Sequence, residues 1–190
     1  MDKNEFLSIA GGLKRPGIKE LIDYLETTDF FEAPASTRFH GAYKGGLVEH
    51  SGNVAVILKA LTDVNHLYWE DEESPLIIGL FHDVCKANFY GTQMRNVKNE
   101  ITNQWERKPF YIVKESFPLG HGEKSCFIIS RYVKLTDEEA MCIRWHMSGY
   151  EPKESYAALS KAKLLYPNIV WTHLADELDC AEASMLRAAI

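Results

Sequence analysis

Residues 74–86 read Ser74-Pro75-Leu76-Ile77-Ile78-Gly79-Leu80-Phe81-His82-Asp83-Val84-Cys85-Lys86. The Ser-Pro pair is a helix start, with Ser as N-cap and Pro as first helical residue, where its missing N–H costs nothing. The apolar run that follows belongs in a core and is far too short to span a bilayer. The spacing predicts a helix ending near Lys86, with His82 and Asp83 in its last turn. An imidazole and a carboxylate at the buried end of such a helix are costly unless paired or metal-bound; the alternative is a surface ion pair. The partial negative charge of a helix C-terminus favours a cation there. Neighbouring side chains diverge by about 100° around a helix, so both reach one ion only if it sits close to the helix end.

Other His and Asp residues fall on separate helical stretches. His50, His82, His121, His146 and Asp176 are spaced by 32, 39, 25 and 30 residues, each about one helix plus one connection. Side chains on different helices can then meet inside a bundle, which is how helical proteins build metal sites. Neutral imidazole with carboxylate suits Fe, Mn, Zn, Co or Ni. Together with Asp83 the candidate ligands outnumber those of a closed structural zinc site, which also usually includes Cys. They imply two metals, or one metal with helpers.

Apolar periodicity supplies the frame. Gly17 to Glu26 reads as a helix, Thr27 to Tyr43 as an ordered loop, and Leu47 to Tyr68 as a long helix with Leu47, Val54, Ile57, Leu58 and Leu61 inward. Phe89 to Val113 breaks the pattern. Extended runs near Tyr90 to Lys98 and Trp105 to Val113 flank Asn99 to Asn103 and predict a β-hairpin. Helices resume over Glu123 to Val133, Asp137 to Met147, Ser155 to Tyr166, and Ile169 onward. Thr136-Asp137-Glu138-Glu139 is a capping box. The expected fold is an all-α helical bundle with a small hairpin insertion. It forms a single domain in which residues 1–41, one helix and a loop, pack on residues 42–190.

The apolar share of 46% is that of an ordinary globular protein. A net charge of −6 argues against wrapping long nucleic acid by bulk charge, but leaves room for a local basic pocket. Cys85, Cys126, Cys142 and Cys180 form no C-x-x-C and read as small core residues of a reduced protein. The N-terminal residues are no signal peptide, so a cytoplasmic location with no membrane association is expected.

The motifs Gly45-Gly46-Leu47-Val48-Glu49-His50-Ser51, Phe81-His82-Asp83-Val84-Cys85-Lys86 and Leu174-Ala175-Asp176 resemble the HD superfamily of metal-dependent phosphohydrolases. Gly120-His121-Gly122 and Trp145-His146-Met147 resemble its two-metal branch, and Tyr43 to His50 looks like the HD exoribonucleases of Gram-positive bacteria. The likeness spans roughly Ala42 to Asp179. It departs where the family usually has Gly and this chain has Cys85.

The resemblance implies that His50, His82, Asp83 and Asp176 hold one divalent metal. Asp83, His121 and His146 hold a second, with Asp83 bridging. It implies hydrolysis of a nucleotide or short oligonucleotide ester, RNA or DNA included, by metal-activated water, with Asp83 and Lys86 as catalytic groups. A catalytically silent metal-bound module and a di-iron HD oxygenase are the alternatives. Lys86, one turn after the His-Asp pair, either stabilises phosphate charge or serves the helix dipole. His121 reads as a ligand or as a phosphate contact. His40 is a loop histidine or a substrate contact. His173, one turn before Asp176, is a substrate or supporting contact, or core. Arg95 and Lys98 on the hairpin are expected to bind anionic substrate if the hairpin is a lid, and to be surface charges if it is decoration.

Overall fold

The computed structural model describes residues 1–188, with side chains through Ala181. The chain folds as α1 (Lys3–Gly11), α2 (Ile18–Glu26), α3 (Gly46–Asn65), α4 (Ser74–Phe81), β1 (Tyr90–Lys98), β2 (Trp105–Val113), α5 (His121–Ile129), α6 (Asp137–Trp145), α7 (Tyr156–Leu165) and α8 (Asn168–Ala188). Short 3-10 turns at Val84–Lys86, Ser148–Tyr150 and Lys153–Ser155 join some of them.

The all-α class is corrected. The fold is largely helical but mixed, because β1 and β2 form a two-stranded antiparallel sheet from Tyr90↔Val113 to Lys98↔Trp105. The Asn99 side chain accepts bonds from the Ile101 and Thr102 amides at the tip. Asn103 takes the left-handed conformation that closes the turn, at φ 56°. A lone hairpin is marginal in water, and this one is anchored at its base. The buried Lys124 ammonium bonds Glu115 at 2.9 Å, just past β2, and lies 5.0 Å over the Phe89 ring, just before β1.

Residues 1–41 hold two helices, not one. Asp2 and Glu5 make a reciprocal capping box that starts α1. Its Phe6 meets Phe30 and Phe81 edge-on, at 5.5 and 6.0 Å between ring centres, in the core. Two helix boundaries also move. Helix α3 stops at His66, which is left-handed at φ 52°. Ser74 is the first residue of α4, not its cap: Glu73 takes the cap position, and the Ser74 hydroxyl donates to Glu139 at 2.8 Å.

Glu139 is fully buried and ties distant segments together. It accepts from both terminal guanidinium nitrogens of Arg15, from Ser74 and from the Thr136 amide. The Thr136 capping box is formed as the sequence implies. Among the described residues no helix is long and apolar enough to cross a membrane.

Candidate metal centre

Two close helix contacts bring the histidines together. A Cβ on Gly79 of α4 would lie 2.3 Å from the Ala55 Cα of α3. These two helices carry His50 and deliver His82. A Cβ on Gly122 of α5 would lie 2.3 Å from the Arg144 carbonyl oxygen of α6. That pair carries His121 and delivers His146. Only glycine permits such backbone approach.

Helix α4 does not run to Lys86. His82 is its C-cap, and Asp83 leaves the helix at φ −108° and ψ 15° before the 3-10 turn. This break resolves the divergence of adjacent helical side chains, because Asp83 turns back under the helix end beside His82. Cys85 keeps a negative φ, so no glycine is needed there.

Asp83 is the centre of the arrangement. Its Oδ2 lies 3.6 Å from His50 Nε2 and 3.7 Å from His82 Nε2. Its Oδ1 lies 2.8 Å from His121 Nε2 and 3.7 Å from His146 Nε2. Ligand atoms of His50, His82 and Asp83, and again of Asp83, His121 and His146, lie within 4.8 Å of one another. Asp176 borders the first trio, 3.2 Å from His50 Nε2. These are buried His and Asp groups that could hold a metal ion. A third trio, His40, His50 and Cys180, shares His50 with the first.

The protonation pattern fits a cation. His82 Nδ1 donates to the Gly79 carbonyl at 2.9 Å, and His146 Nδ1 to the Ile143 carbonyl at 2.7 Å. A carbonyl can only accept, so in each neutral ring Nε2 presents a lone pair to the centre. Burial keeps both rings neutral: it lowers the pKa of His82, and with the crowding of His146 against its neighbouring imidazoles it takes His146 to about 3. Two lone pairs facing a buried carboxylate, one of them 3.3 Å from His50 Nε2, are an arrangement that a metal could occupy.

The remaining rings carry the compensating charge. Burial disfavours a charged His50, but its bonds to Asp176 and Asp179 and the nearby Asp83 raise it to about 9. Burial likewise opposes charge on His121, which Cys85 and Asp83 raise to about 10. Asp83 resists its burial because Lys86, His82 and His121 hold it well below the carboxylate range. Asp176 is lowered too, by His50 against its own burial. Metal binding needs neutral imidazoles and would displace the protons on His50 and His121.

Lys86 Nζ lies 2.6 Å from Asp83 Oδ2. Burial works against its charge, yet Asp83 and Tyr90 raise its pKa. A cavity of about 630 Å³ opens over these groups. Its polar lining is His40, Asp83, Lys86, His146, Asp176 and Glu177, and Phe39, Met147, Tyr150, Cys180 and Ala181 line the rest. His40 is thus where a substrate contact is expected, with its ring 5.1 Å from that of His50.

Three residues expected at the substrate are not among the cavity-lining residues. His173 donates to the His146 carbonyl at 2.8 Å, the supporting contact among its expected roles. Arg95 and Lys98 do not line the cavity either. Strand β1 rises about 3.3 Å per residue, which carries both away from its anchored start at Tyr90. Arg95 instead stacks its guanidinium 5.5 Å over Phe110.

Sequence reasoning missed Asp179, which accepts from His50 Nδ1 at 2.7 Å and from Asn53 at 2.8 Å. Its signal was its position one turn after Asp176. Tyr150 was missed because it sits on a 3-10 turn with no periodicity to place it.

No family model, curated protein or solved structure matches the chain.

Proposed function

We propose that the chain is a metal-dependent phosphohydrolase of the HD type that cleaves a phosphate ester of a nucleotide or short oligonucleotide. The observation that carries this reading is the division of Asp83, with one carboxylate oxygen on each histidine pair. On this reading His50, His82, Asp83 and Asp176 hold one divalent ion, and Asp83, His121 and His146 a second, drawn from Mn, Fe, Zn, Co and Ni. Such ions supply Lewis acidity, lowering the pKa of water and neutralising phosphate charge.

The chain's own groups do the rest. Asp83 orients both halves of the site. Lys86, already charged at the cavity floor, turns one of its three N–H donors to a phosphoryl oxygen and stabilises charge as it develops. Burial first, and then Lys86, lower the pKa of His40, so as a neutral ring it can donate a hydrogen bond to the ester without adding charge. The cavity has the volume of a small-molecule site, and its apolar wall of Phe39, Met147 and Tyr150 suits a flat, partly apolar group such as a base.

Elemental analysis of gently purified protein, with turnover on nucleotides, cyclic dinucleotides and short RNA, tests the reading. Two metals per chain and release of phosphate or a nucleotide are expected, and Asp83→Ala should lose both metals and turnover together. Retention of two metals in Asp83→Ala would remove the bridging role. A fully metallated wild type inert on the whole panel would remove the hydrolase.

A further inference from the structure

We propose that one face of the hairpin binds single-stranded nucleic acid and leads it towards the cavity; the proposal deepens the reading above, resting on it for cleavage of the strand but not for its binding. The register decides which side chains share a face. Residues directly opposite in an antiparallel pair point the same way, and successive residues alternate. Met94, Asn96 and Lys98 of β1 stand opposite Pro109, Arg107 and Trp105 of β2. These six make one face, and all six are exposed.

The two faces treat their charges differently. On the other face Lys108 pairs with Glu106 at 3.1 Å, and Arg95 lies 5.5 Å over the Phe110 ring. Its cations are thus already engaged. Lys98 and Arg107 have no acid opposite or beside them on their own face. Among the described residues their side chains make no ion pair or hydrogen bond. Between them Trp105 is 71% exposed, and an indole left in water is apolar surface that a partner would cover. From Tyr90 to Val113 four cations stand against two acids, in a chain of net charge −6. The hairpin is therefore where a polyanion is drawn to an otherwise acidic molecule.

An open aromatic ring flanked by unpaired cations suits a single strand: a base stacks on the ring while phosphates take the cations. A duplex keeps its base faces covered and would leave Trp105 idle. The root of the same face is Tyr90, whose hydroxyl donates to the Ala35 carbonyl at 3.1 Å. That loop continues to Phe39 and His40 at the cavity. Lys98 stands about 26 Å along the strand from Tyr90, at 3.3 Å per residue. A strand must therefore be several nucleotides long to touch both the hairpin face and the metal centre, and a mononucleotide in the cavity leaves the face untouched.

Fluorescence anisotropy of labelled oligouridylate with the metal-free full chain measures binding without turnover. Trp105→Ala should weaken binding by about five- to a hundredfold, the worth of one stacked base, and Trp105→Phe should keep most of the affinity. Arg107→Ala and Lys98→Ala should each flatten the dependence of log affinity on log salt by about 0.7. Arg95→Ala, on the other face, should leave affinity and slope as in the wild type. All these side chains are exposed, so the variants fold. Absence of binding at low salt, affinity indifferent to Trp105→Ala, or equal affinity once the strand is annealed to its complement overturns the proposal. Tighter binding of polyglutamate than of oligouridylate also overturns it and makes the face a dock for an acidic protein. Strand binding with the expected variant pattern, by a fully metallated protein that cleaves nothing, sinks the hydrolase and leaves this inference standing.

Discussion

His50 has both ring nitrogens committed, Nδ1 to Asp179 at 2.7 Å and Nε2 towards Asp176 at 3.2 Å. Asp179 in turn is steadied by the Asn53 amide. An Asp-held imidazole is a more basic and better oriented ligand than a free one. Asp179→Ala should therefore weaken the first metal by about ten- to a hundredfold and spare the second. Calorimetric titration of the variant checks this, and loss of both metals in parallel would mean that Asp179 serves the fold and not His50. The ligand residues themselves were legible in the chain, because His and Asp among apolar neighbours stand out. Their supporting partners were not. Asp179 looks like one of several acids on α8 until its contacts are seen.

The helix pairs α3–α4 and α5–α6 meet at Gly79 and Gly122, and the ligands ride on that closeness. At Gly79 an added methyl would strike the Ala55 backbone, which cannot swing aside as a side chain would. Gly79→Ala should lower stability by about 1–3 kcal/mol, the cost of overpacking, and should reduce metal uptake by parting His50 from His82. Urea denaturation with elemental analysis tests both halves, and an unchanged midpoint would show that the helices separate freely. The hairpin leads to the opposite expectation. Its strands lie where alternation and β-branched residues put them, but its cations point along a ladder that leaves the cavity. Arg95→Ala and Lys98→Ala should leave metal content and KM for an anionic substrate of mononucleotide size unchanged, as steady-state kinetics would show. A raised KM in either would mean that the hairpin folds over the cavity when substrate binds.

The Arg15–Glu139 pair joins the loop before α2 to the start of α6, with Ser74 bringing in α4. Glu139 is wholly buried, so removing its cation leaves a charge without compensation. Arg15→Ala should cost about 3 kcal/mol, read as a lower urea midpoint with unchanged slope; a loss below about 1 kcal/mol would place the pair among surface bridges. Composition and periodicity alone carry the helical phases, the hairpin ends, the Thr136 cap and the ligand types. Each of these depends on residues a few positions apart, and local backbone and side-chain sterics decide them. Long-range contact decided the rest. It ended α4 at His82 so that Asp83 could turn inward, chose which nitrogen of each ring faces the centre, and overturned the all-α class by giving two exposed strands a pinned base. It also joined His50 to Asp179 across 129 residues of chain. No local propensity encodes a partner at that separation, since it exists only once the packed helices have brought the two ends of the chain together.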